Sequence, residues 1–119
     1  MLVKNPRGTL KRLKQFRADH LRRNIVQMGS IIAELDRASA GLEQQVRHLE
    51  RSTGKTDLAD AAYPVLAKVL IERRANVKLS AIELERQLDE TKQVLSETLR
   101  ELEEIEMAEQ KHLQLSHSA

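Results

Sequence analysis

The chain has 119 residues, no cysteine and only two aromatic residues, Phe16 and Tyr63. Because so few bulky side chains are present, we expect a thin helical fold rather than a large globular core, and the absence of cysteine excludes a disulfide framework, a thiolate zinc site and a cysteine nucleophile. The net charge of +2 conceals two opposed blocks, since residues 1–23 carry eight Lys/Arg against one Asp, and residues 83–109 carry ten Asp/Glu against three Lys/Arg.

The first predicted helix covers about residues 9–51 and carries a heptad pattern. Its apolar residues recur at alternating steps of four and three, which is the signature of a coiled-coil seam. The predicted seam positions are Leu21, Ile25, Met28, Ile32, Leu35, Ser39, Leu42, Val46 and Leu49. Upstream, Leu10, Leu13 and Arg17 join this stripe through an extra step of four, which predicts a stutter.

The predicted connection covers residues 52–63. Gly54 suits the left-handed conformation that ends a helix, and Asp57 suits a cap. Pro64 is acceptable only in the first turn of a helix, so the second helix is predicted over about residues 64–112, with a tail at 113–119. Its seam positions are Ala67, Leu70, Arg74, Val77, Ala81, Leu84, Leu88, Thr91, Leu95, Thr98, Leu102 and Ile105.

Two amphipathic helices of matched length, joined by a short connection, predict an all-α fold in which residues 1–119 form a single helical hairpin, an antiparallel two-helix coiled coil. This pairing brings the basic block beside the acidic one, and such flanking charges select the register. The predicted neighbours are Lys11 with Glu104, Lys14 with Glu101, Arg17 with Glu97, and Arg22 with Glu90.

No catalytic or metal-binding pattern is present in the sequence. The four histidines, His20, His48, His112 and His117, are not spaced to share a metal with nearby carboxylates on a helix. A two-helix rod also lacks the concave pocket that shifts a carboxylate pKa for acid–base catalysis. We therefore expect neither enzymatic activity nor a cofactor. No apolar run approaches the ~18 residues that span a bilayer, so a soluble, cytoplasmic protein is expected.

The basic segment 4–23 has more than one interpretation. Its charges could pair within the hairpin, bind phosphates of a nucleic acid, or lie on an anionic membrane with Leu10, Leu13 and Phe16 buried. Scarce stacking aromatics and the equal acidic block argue against nucleic acid.

Several apolar residues near the start of the second helix lie off its seam. They are Val65, Leu66, Val69, Ile71, Leu79 and Ile82. A helix that is apolar on more than one side usually has a second partner. Either the connection folds over these residues, the chain dimerises through them, or they bind another protein. We expect a protein-docking surface around Leu66 and Val69, with Arg73 and Arg74 as its polar rim.

The whole chain resembles the FliJ family, the coiled-coil component of the bacterial flagellar type III export apparatus, in its short alphaproteobacterial form. The resemblance is carried by segments spread along the chain: Leu-Lys-Arg-Leu-Lys-Gln-Phe at 10–16, Arg-Arg at 22–23, residues 28–35, Ala-Tyr-Pro at 62–64 and Glu-Arg-Arg-Ala-Asn-Val-Lys-Leu-Ser at 72–80.

The resemblance implies a stalk similar to that of rotary ATPases, which takes part in motility and chemotaxis. Its terminal end would sit in the ring of the flagellar export ATPase, and its loop end would contact the export gate membrane protein. Export chaperones would be further partners, and no nucleic acid or direct membrane insertion is expected. The location would be cytoplasmic, peripheral to the inner membrane at the flagellar base.

Transferred to this sequence, the implied gate contacts are Tyr63, Leu66, Val69, Ile71, Arg73 and Arg74. The implied ATPase contacts are Leu10, Lys11, Leu13, Lys14, Phe16, Arg17, Glu101, Leu102, Glu104 and Ile105. The resemblance leaves open whether such a stalk mainly handles chaperones or activates the gate, and how many copies act together.

Overall fold

The fold was obtained as a computed structural model that describes residues 6–117. It is an all-α helical hairpin, as predicted. Helix α1 comprises Pro6–Thr53, helix α2 comprises Val65–His117, and the described residues contain no strand.

Both helices are longer than the sequence pattern predicted. Helix α1 begins at Pro6, three residues before the expected start, and therefore includes Gly8. Proline is compatible with the first turn of a helix, because the backbone N–H groups of that turn form no hydrogen bond within the helix. Helix α2 continues to His117 because residues 106–117 contain no glycine or proline to stop it. Most of the predicted tail is thus helical, and residues 118–119 lie outside the described part, as does Lys4 of the basic segment.

The described residues divide into two compact units, and each contains part of both helices. The loop unit comprises residues 28–87 and includes the connection between the helices. The terminal unit comprises residues 6–27 together with 88–117.

A small apolar core lies in the loop unit. Val46 of α1 packs with Tyr63, Ala67 and Leu70, and all four are almost completely buried. Leu42, Leu49 and Ile71 pack around this group and are half-buried. The fully covered Ala67 is a small side chain, which allows the two helices to approach closely.

The connection is held by short local hydrogen bonds. Gly54 has the left-handed conformation predicted for it, with φ of 69°, and its N–H donates to the Glu50 carbonyl at 2.8 Å. Two aspartates then shape successive turns, because Asp57 Oδ1 accepts from the Ala59 N–H at 2.9 Å and Asp60 Oδ1 accepts from the Ala62 N–H at 2.8 Å. These turns deliver Tyr63 to the core and allow α2 to begin at Val65.

Tyr63 combines an apolar ring in the core with a polar tip at its edge. Its hydroxyl donates to Glu50 Oε2 at 3.2 Å, while only 3% of the residue is exposed. Burial, followed by the hydrogen bond to the Glu50 carboxylate and its negative charge, raises the pKa of Tyr63 above 10.0, although Arg74 acts in the opposite direction.

The terminal unit pairs the first half of α1 with the second half of α2. Its buried side chains are Ala18 and Leu21 from α1, and Thr98 and Leu102 from α2. The antiparallel register follows the prediction, since Lys14 forms a salt bridge with Glu101 and the Arg7 guanidinium donates to the Ala108 carbonyl at 3.5 Å.

The seam predicted from Leu21 onwards in α1 and from Ala67 onwards in α2 is confirmed. Every one of its positions is buried or half-buried. Four of these positions are polar, and two of the four, Ser39 and Thr98, are buried. The Thr98 hydroxyl satisfies its hydrogen-bonding capacity within its own helix by donating to the Val94 carbonyl at 2.8 Å.

The hairpin predicts a short distance between residues 10 and 105 in the terminal unit. Because the chain has no cysteine, Leu10→Cys with Ile105→Cys provides the only attachment sites for a pair of spin labels. We expect a distance on the order of 10–20 Å, since packed helix axes lie about 8–10 Å apart. A distance near the ~72 Å length of the 48-residue α1 would contradict the hairpin.

The position of the core predicts unequal effects for two leucines one turn apart. Leu70→Ala should lower the free energy of unfolding by about 2–5 kcal/mol, because Leu70 is 7% exposed and its loss leaves a cavity. Leu66→Ala is the matched control, with an expected change within about 0.5 kcal/mol, since Leu66 is 58% exposed. Denaturant unfolding of both variants measures the difference, and equal losses would contradict the assigned core.

Tyr63 predicts a pH limit to stability. It is the only tyrosine and no tryptophan is present, so absorbance of the phenolate reports this residue alone. The folded protein should titrate above pH 10.0, and Glu50→Gln should move the midpoint back towards that value. Because the folded state holds the proton more tightly, this stabilising contribution is present below pH 10 and is lost as the pH rises through the folded pKa. A midpoint at or below that of the urea-unfolded chain would contradict the buried placement.

Candidate functional site

An apolar surface lies next to the core of the loop unit, on the side of α2 that the seam does not use. Val65, Leu66 and Val69 are exposed there, and Arg73 lies exposed one turn after Val69. We call these four residues the loop-end patch. The prediction that Leu66 and Val69 lie outside the helix pair is confirmed, and Leu79 and Ile82 are exposed as well.

Three of the residues expected on this surface lie elsewhere. Tyr63 is buried because the two aspartate turns direct its ring into the core. Ile71 is half-buried against the core cluster. Arg74 occupies a seam position, and its guanidinium lies 3.8 Å from Glu43 Oε1 across the helix pair. The prediction that Tyr63, Ile71 and Arg74 belong to an exposed contact surface is therefore wrong.

A groove beside the loop-end patch adds residues that the sequence analysis did not identify. Its volume is about 480 Å³, and it is lined by Gly41, Gln44, Gln45, His48, Leu49, Leu66 and Leu70. A methyl group added at Gly41 would meet no atom within 4 Å, so the missing side chain leaves open space. A glycine within a long helix costs up to about 1 kcal/mol relative to alanine. An unfavourable residue in the middle of α1 was therefore the feature of the sequence that could have identified position 41.

At the terminal end, the α1 residues that face α2 are shifted by one position from the predicted seam residues. The heptad pattern continues upstream from Leu21 without a stutter, through Ala18, Lys14 and Lys11, which are buried or half-buried. The prediction that Leu10, Leu13 and Arg17 belong to the seam is therefore wrong. Leu10 is 45% exposed, Leu13 is 61% exposed and Arg17 is exposed.

Two lysines take part in the seam because their side chains have apolar stems and charged tips. The Lys14 ammonium pairs with Glu101, as predicted, and the hydrogen bond that it donates holds the pKa of Glu101 below its usual range. The Lys11 ammonium lies 3.1 Å from Glu109 Oε2 and not beside Glu104 as expected. Arg22 pairs at 3.3 Å with Asp19 of its own helix.

The remaining residues expected at the terminal end fall into two groups. Leu102 is buried and Ile105 is half-buried, so both belong to the helix pair. Phe16 is 68% exposed, and Glu104 is exposed on α2. A shallow groove of about 440 Å³ lies at this end and is lined by Leu10, Lys14, Glu101, Glu104 and Ile105. The side chains left available to another molecule are therefore mainly those of Leu10, Leu13, Phe16, Arg17 and Glu104.

The described residues contain no group of three or more His, Asp or Glu side chains placed to hold a metal ion. Nor does either helix, over the stretch that the structure describes, combine the length and apolarity needed to cross a bilayer. Among the described residues, exposed apolar side chains are gathered at the loop-end patch beside its groove and at the terminal end.

Comparison with known proteins adds no relative. No protein-family model, no curated protein and no solved structure matches the chain.

Proposed function

We propose that the chain is a non-enzymatic, chaperone-like stalk of the flagellar type III export apparatus, which couples the export ATPase ring to the export gate. Two observations support the proposal. The sequence resembles the FliJ family over segments distributed along its length, and the fold is the helical hairpin that this resemblance implies.

The observation that carries the proposal is the loop-end patch. Leu66 and Val69 are exposed apolar side chains beside an open groove, and Arg73 stands at their margin. Apolar anchors surrounded by polar groups are typical of the centre of a protein interface. We assign the contact with the export gate to this patch, and we add Gly41 and Gln45 of the groove to the surface that receives the partner.

We assign the ATPase contact to the terminal end. Lys11, Lys14 and Glu101 already form ion pairs within the hairpin, so they stabilise the end rather than bind the ring. Leu10, Phe16 and Arg17 are exposed and take that role. With one partner at each end, the chain acts on the cytoplasmic side, peripheral to the inner membrane, where export chaperones are further partners.

The assignment predicts that the loop-end patch is needed for binding but not for folding. Leu66→Ser with Val69→Ser should weaken binding to the gate protein's cytoplasmic domain at least tenfold, because an anchor at the centre of an interface contributes about 2 kcal/mol or more. Binding is measured with purified proteins by calorimetry, and motility of cells carrying the variant should fall. The ATPase should still bind.

The matched control is Leu79→Ser with Ile82→Ser, which removes two exposed apolar side chains from the same helix outside the patch. It should leave gate binding unchanged. Unaltered affinity of the patch variant, with both variants folded by circular dichroism, would contradict the assigned surface. Recovery of neither the gate protein nor the ATPase when the intact chain is used to capture partners from its source cells would contradict the proposed function.

A further inference from the structure

A basic and apolar face runs along α1 in the terminal unit, on the side turned away from the seam. Leu13 and Phe16 form its apolar part, with more than half of each residue exposed. This exposure results from the uninterrupted heptad phase, which places Lys11, Lys14 and Ala18 in the seam instead.

Three arginines border this apolar pair. Arg12 precedes Phe16 by four residues, Arg17 follows Leu13 by four, and Arg23 follows Phe16 by seven, so all three share the side of the helix that carries Leu13 and Phe16. They are exposed, and none forms a salt bridge with a described residue. Their charges differ in this respect from those of Lys11, Lys14 and Arg22, which are paired within the chain.

We propose that Leu13, Phe16, Arg12, Arg17 and Arg23 form a face that binds the surface of an anionic lipid bilayer. A bilayer interface accepts both parts of this face, because the apolar side chains enter the boundary between headgroups and acyl chains while the guanidinium groups bind phosphates. A nucleic acid would bind the arginines but leave Leu13 in water, and a zwitterionic bilayer has no net negative charge to attract the arginines.

This face adds a lipid partner to the two protein partners proposed above and does not depend on them. The association is shallow, because neither helix is apolar enough to cross the bilayer over its described residues. The ATPase ring and the bilayer would compete for Phe16 and Arg17. Lipid binding is therefore measured on the full chain without other proteins, and its failure leaves the gate and ATPase assignments untouched.

The test is flotation of the full-length protein with vesicles of phosphatidylcholine alone or with one-third phosphatidylglycerol, at physiological salt. We expect the protein to float only with the anionic vesicles, and the bound fraction to fall as salt is raised because charge attraction to the surface is screened. Absence of binding to the anionic vesicles would overturn the proposal.

Two variants separate the contributions of the face. Leu13→Ser with Phe16→Ser should weaken binding to anionic vesicles at least about tenfold, and so should the exchange of Arg12, Arg17 and Arg23 for Gln. The matched control is Met107→Ser with Leu113→Ser, which removes two exposed apolar side chains of α2 in the same unit and should leave binding unchanged. Binding that survives the loss of Leu13 and Phe16, or that is lost equally in the control, would overturn the assignment of this face.

A conservative reporter checks the insertion directly. Because the chain has no tryptophan, Phe16→Trp adds a single fluorophore, whose emission should shift to shorter wavelength with anionic vesicles but not with phosphatidylcholine. The same variant is titrated with duplex DNA at the same salt. Binding to DNA as tight as to vesicles, without a shift of the emission, would identify a nucleic-acid site and overturn the lipid proposal.

Discussion

The structure depends on one constraint, which is that a pair of helices can bury only one stripe of each. In this chain the stripe is the heptad seam, and nearly all the buried side chains belong to it. Alanines at three of its positions, Ala18, Ala67 and Ala81, let the helices approach closely, while leucine and isoleucine fill the positions between them. Apolar residues off the stripe have no place to be buried within the pair, so they form surfaces.

The phase of the heptad decides what the terminal end presents. By placing Lys11 and Lys14 in the seam, it pairs their ammonium groups with acidic residues of α2. Part of the opposed charge of the two blocks is thereby neutralised within the hairpin. The arginines that remain are on the outside, next to Leu13 and Phe16, where charge and apolar area are available together. One choice of phase thus separates the cations that stabilise the fold from those that can bind another molecule.

At the loop end, the same limit on burial leaves an apolar patch exposed beside a small core. Two aspartate turns and the buried Tyr63 close the hairpin over a small apolar core. Val65, Leu66 and Val69 remain outside this core because they lie on other sides of α2. Beside them, α1 has no side chain at Gly41, and the space left open there forms part of the groove. The core and the surface are therefore built from neighbouring residues of the same helical turns.

The hydrophobic period was sufficient to predict the fold class and the seam from Leu21 to Ile105, because burial in a two-helix pair follows the heptad. The turn was predicted from the conformational freedom of Gly54, and the antiparallel register from the short connection and the opposed charge blocks. The period also identified Leu66 and Val69 as exposed, since both break it. Tertiary structure decided the rest. Tyr63 was directed inwards by hydrogen bonds of the connection, and Arg74 was held by Glu43 across the pair. In the first turns of α1, leucines and lysines offered two seams that differ by one position. Only packing against α2 selected the one with lysines, because their stems cover the partner helix while their charges reach Glu101 and Glu109.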